Sequence, residues 1–141
     1  MNRTIFAASA GLAAAGLFGF MSFANDGSSE APAPSGGAMV IVSVPELNEA
    51  ALAGKAAFDT FCASCHGANA AGREGFGPPL VHPIYEPRHH GKVSFLYAVT
   101  TGVRAHHWHF GDMPVIEGIT EDGIAQIVVY VRALQVANGI E

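Results

Sequence analysis

The run Cys62-Ala63-Ser64-Cys65-His66 holds the only two cysteines of this 141-residue chain. Two thiols three residues apart can each add across a vinyl group of one porphyrin. A histidine directly behind them can turn back to ligate the iron, so the pentapeptide reads as a covalent haem attachment site. Three other uses of the spacing fit less well. A thioredoxin-like pair wants a βαβ context, and a structural zinc site wants four N/S ligands, usually in two paired clusters; neither is written in this sequence. A Cys62–Cys65 disulfide would close so short a loop that it restrains little of the unfolded chain.

The N-terminus sets the compartment. Arg3 precedes an uncharged apolar stretch from Ile5 to Phe23, and Ser22-Phe23-Ala24 offers small residues where a signal peptidase would inspect them. Residues 1–24 therefore read as a signal peptide cleaved after Ala24 or, since about 20 apolar residues can span a bilayer, as an uncleaved N-terminal anchor. Both place the rest of the chain outside the cytoplasm, in the periplasm or facing it. Residues 25–45 read as a flexible linker rich in Pro, Gly and Ser, with the β-branched run Met39 to Val44 as its end or as an extended segment against the domain. Without residues 1–24 the chain keeps six Lys and Arg against twelve Asp and Glu. Such an acidic surface, lacking any basic cluster, argues against nucleic acid and anionic lipid as partners. Membrane contact is expected only through an uncleaved anchor.

Residues 46–141 suffice for one small domain, to whose modest core a haem would add. From Asn48 as N-cap, Ala51, Gly54, Phe58, Phe61 and Cys65 recur at helical spacing, predicting one helix that delivers the cysteines to the haem edge. Thr120 caps a C-terminal helix whose stripe is Ile124, Ile127, Val128, Val131 and Leu134, with Glu121 and Asp122 at its positive end and Asn138-Gly139 as its stop. Lys92 to Thr101 forms a third helix ended by Gly102. Residues 67–91, rich in Pro and Gly, should wrap as loop, and no convincing strand is present in the domain.

Four landmarks stand in one order: Gly54 to Gly67 around the cysteines, Gly77-Pro78-Pro79-Leu80, Gly111-Asp112-Met113-Pro114, and Val129-Tyr130-Val131-Arg132. Over about residues 46–138 the chain resembles a class I, monohaem cytochrome c. The resemblance implies an all-α, cytochrome c-like fold of three main helices and loops around one covalently attached haem c per chain. It implies that Gly54 and Tyr130 meet where the first and last helices cross. It places the carbonyl of Pro78, with Pro79 as the alternative, on the far nitrogen of His66, and it makes Met113 the sixth iron ligand opposite His66. Met1 and Met21 lie in the export segment and Met39 lies in the tether. Trp108 has an indole donor for a haem propionate, and Arg104 could neutralise the same group.

Six further histidines, His82, His89, His90, His106, His107 and His109, are unusual for an electron carrier. They read as solvated residues of the cleft loops, as groups tuning the iron by titration, as a second metal site for copper or zinc, or as a rival to Met113 at the iron. The function expected is a one-electron carrier that transforms no substrate, a monomer or a subunit of a redox complex, docking at the haem edge near Cys62 and Cys65 on partners with a basic surface. Alternatives that keep the haem are the electron-transfer subunit of a periplasmic oxidoreductase and a haem sensor or weak peroxidase.

Overall fold

The computed structural model describes residues 36–141; the expected export segment and residues 25–35 of the linker lie outside them. The fold is all-α, with four helices and no strand among the described residues, where only two isolated bridges occur. Helix α1 runs Glu49–Phe61, α2 Ala63–His66, α3 Lys92–Thr101 and α4 Glu121–Ala137. Among these residues no helix is long and apolar enough to cross a membrane.

Helices α1 and α4 start at side-chain caps. Asn48 accepts the amide N–H of Ala51 at 2.9 Å and Thr120 accepts that of Gly123 at 3.1 Å, which satisfies donors that a helix start otherwise leaves orphaned. The two helices cross at Gly54, where a Cβ would lie 1.9 Å from the Gln126 carbonyl oxygen and 3.0 Å from the Tyr130 Cβ. Only a residue without a side chain permits that approach. Phe58 and Tyr130, both fully buried, then meet edge to face with ring centroids 5.6 Å apart, a favoured aromatic geometry.

The single cysteine-bearing helix expected from the sequence is divided. Helix α1 ends at Phe61, Cys62 serves as the hinge, and α2 is a separate short helix. The buried stripe of α1 is therefore Ala51, Gly54 and Phe58, while Phe61 is half-buried and Cys65 exposed. Helix α3 buries only Val99 fully, and Phe95 packs on the core from its edge.

Residues 67–91 wrap as loop with two short 3-10 turns, Ala68–Ala70 and Pro83–Tyr85. Tertiary hydrogen bonds hold them. Buried Gln135 donates to the carbonyls of Leu80 at 2.7 Å and Tyr85 at 3.1 Å. Arg132 donates to the carbonyls of Tyr85, at 2.6 Å, and His90. Ala70 sits at φ 57°, costly for a residue with a Cβ, and its carbonyl receives the amides of Leu80 and Val81. On the opposite side, the amides of Met39 and Val40 donate to the Ala71 carbonyl, and Asn138 exchanges hydrogen bonds with Ser43. Residues 39–43 are thus tied to the domain.

The Tyr130 hydroxyl donates to Asn69 Oδ1 at 3.0 Å. Burial first, and then the charge of Asp59, push its phenol from the ordinary value near 10 up to about 12. Tyr130→Phe should therefore cost about 1 kcal/mol at neutral pH, the worth of one such bond. Between pH 10 and 12 the unfolded phenol releases its proton while the folded one keeps it, so native stability falls as pH rises. Wild type should lose on the order of 2 kcal/mol across that window that the Phe variant keeps. Denaturant unfolding of both proteins at neutral and alkaline pH checks both numbers.

Candidate cofactor site

Cys62 is half-buried at the junction of α1 and α2, and Cys65 is exposed one turn on. Burial first, then the neighbouring Cys65, push the Cys62 thiol up to about 11. Dithiol redox centres usually carry a depressed thiol, the opposite direction.

His66 ends α2, and the chain reverses immediately behind it. Gly67 makes the reversal at φ 72°, with the carbonyl of Gly72 only 2.2 Å from where a Cβ would stand. The returning loop brings the Pro78 carbonyl to 2.9 Å from His66 Nδ1, and Pro79 is fully buried. With Nδ1–H donating there, Nε2 keeps its lone pair, the tautomer suited to binding a metal. Burial lowers the His66 pKa, partly offset by the Pro78 hydrogen bond, so the neutral ring is favoured.

Met113 comes from a different part of the chain. Its main chain exchanges two hydrogen bonds with Val103, at 2.9 and 3.0 Å, and Ile116 N–H donates to the Val99 carbonyl at 2.9 Å, which ties the segment to the end of α3. His66, Met113, both cysteines, Pro78 and Trp108 line one cleft of about 680 Å³, within the size range of cofactor sites. Leu80, Phe95, Val99 and Ile127 supply apolar wall.

Trp108 packs edge-on to His82, centroids 5.2 Å apart, and stacks near Phe110 at 6.0 Å. Its Nε1 is buried without a hydrogen bond of normal geometry, although the Tyr85 hydroxyl is nearby. A buried donor left unmet costs free energy. An apolar cleft with two thiols at its edge, a borderline imidazole and a soft thioether in its lining, and one unmet indole donor fits a haem with an acidic substituent.

The fold adds residues that the sequence did not single out. Arg132, Gln135 and Asn69 fix the loops that carry Pro78, Tyr85 and the histidines. A glutamine one helical turn after Val131, on the buried face of α4, is the signal that marked Gln135. His89 and His90 from one loop and His107 from another converge, with ligand atoms all within 4.8 Å of one another. His82 instead caps the Pro83–Tyr85 turn through Nδ1, 3.2 Å from the Ile84 amide.

A family model described as Cytochrome c matches residues 51–135. No curated protein and no solved structure matches the chain.

Proposed function

Since the chain belongs to the cytochrome c family, and with it carries a covalently bound haem c, we propose that it is an exported one-electron carrier with His66 and Met113 as axial ligands. The haem iron supplies the ferric/ferrous couple. Cys62 and Cys65 hold the group as thioethers, and the short α2 helix fixes their spacing. His66 binds through Nε2 while the Pro78 carbonyl holds its other nitrogen, keeping the ring oriented and basic. Met113 gives a soft neutral donor, which favours the reduced state and raises the potential. The Trp108 indole donates to a propionate.

The observation that carries this reading is the shared cleft: Met113 and His66 line the same apolar space, each on a segment pinned by its own backbone hydrogen bonds. With His66 and Met113 both holding the iron, the site would be closed to outside ligands and would change little as it gains or loses an electron. Redox partners dock where Cys65 and its exposed neighbour Ser64 lie at the surface, and the chain's acidity favours a basic partner face. Apolar residues 5–23 with Ala24 behind them support export, and residues 46–141 form the electron-transfer domain.

Carbon monoxide distinguishes this carrier from a sensor or peroxidase. The reduced protein at neutral pH should leave its spectrum unchanged under carbon monoxide and should titrate as a single one-electron couple. Ready formation of a carbonyl adduct would show an open iron and remove Met113 from its role.

A further inference from the structure

Three imidazoles meet in the wall of the cleft that His66 and Met113 also line. His89 and His90 stand at the end of the 67–91 loop, and His107 stands in the 104–112 loop. Their ring centroids are 4.5 Å apart for His89 and His90, 5.5 Å for His89 and His107, and 5.4 Å for His90 and His107. One nitrogen of each lies within 4.8 Å of one nitrogen of both others. Nitrogens sharing a tetrahedral ion at about 2.0–2.1 Å each would lie roughly 3.4 Å apart. Small side-chain rotations close that difference.

The surroundings orient the donors. His90 Nδ1 is 2.6 Å from the Ile84 carbonyl, so Nδ1–H donates there and Nε2 keeps the lone pair. Such a partner on the far nitrogen is the usual outer support of a metal-binding histidine. The same loop is held from α4 by Arg132, which donates to the His90 and Tyr85 carbonyls. The facing loop is braced by Asp112, which accepts the Ala105 amide at 2.8 Å, and by His106 Nδ1 on the Arg104 carbonyl at 2.8 Å. The donor groups thus sit on loops already fixed, and ordering them costs little on binding.

We propose that His89, His90 and His107 bind one divalent late-transition-metal cation, copper(II) ahead of zinc(II), at the rim of the cleft. Three neutral nitrogens and no carboxylate disfavour calcium and magnesium, which take oxygen ligands. Imidazole suits copper and zinc, and the divalent affinity order puts copper first. A three-histidine set leaves a further position for water or an anion.

Equilibrium dialysis of the oxidised, haem-loaded protein against copper(II) and against zinc(II) tests this, with electron paramagnetic resonance of the copper form. The expected result is one equivalent of tightly bound copper, nitrogen hyperfine structure from imidazoles, and competition by zinc. His89→Gln combined with His107→Gln should weaken copper binding at least about 100-fold, since even changes to outer-shell partners cost 10- to 100-fold. His109→Gln, outside the trio, should leave it unchanged, and unaltered circular dichroism identifies folded variants. Absence of one-equivalent binding overturns the proposal, as does equal affinity in the double variant. A changed haem ligand-field spectrum in the double variant would assign one of these histidines to the iron and also overturn it.

Discussion

Gly54→Ala should destabilise the protein by about 3 kcal/mol or more, at or beyond the upper end of overpacking costs. The added methyl would stand 1.9 Å from the Gln126 carbonyl oxygen. No rotamer relieves that contact, because the Cβ position is fixed by the main chain and its partner is backbone. The helices must separate, and in separating they open the Phe58–Tyr130 contact and loosen the hydrogen bond from Tyr130 to Asn69. Against a total stability of roughly 5–15 kcal/mol, that loss is large. Denaturant unfolding of the haem-loaded variant measures it. Ala53→Gly is the matching control: Ala53 is exposed on the same helix, so the reverse change there should cost only about 1 kcal/mol from helix propensity. Equal costs at the two sites would show that the crossing is not fixed by Gly54.

Met113→Ala should have the largest effect on the redox centre. The segment around Met113 is held by main-chain bonds to Val103, so removal of the side chain leaves the loop and the fold in place. What would be lost is the soft donor proposed for the iron. The reduction potential should fall by on the order of 0.2 V, inside the about 0.8 V range over which axial ligands act, and the reduced variant should gain carbon monoxide binding. Met113→His should keep the iron closed to carbon monoxide while still lowering the potential. Electrochemistry and optical titration of the two variants separate the ligand's identity from the closure of the site. A potential unchanged in both would remove Met113 from the iron.

The sequence spoke most clearly where periodicity and caps agree. Asn48 and Thr120 mark the starts of α1 and α4, Gly102 the end of α3, and the Gly54–Tyr130 crossing falls where family resemblance placed it. The division of the first helix at Cys62 had no local signal, because neither glycine nor proline stands between Phe61 and Ala63. The path of residues 67–91 was equally hidden. Gly and Pro announced a loop, but its course is set by Arg132 and Gln135 reaching from α4 to the carbonyls of Leu80, Tyr85 and His90. Likewise, the sequence shows two histidine-rich segments, and only the fold selects His89, His90 and His107 from them.

His66 and Met113 together are proposed to close the iron. An absorption spectrum of the oxidised wild-type protein in the long-wavelength region tests it most directly, because a methionine thioether on ferric haem gives a weak charge-transfer band there. The band should be present in the wild type and disappear in Met113→Ala. Its absence from correctly folded, haem-loaded wild type would remove Met113 from the iron and turn attention to the cleft histidines as ligands.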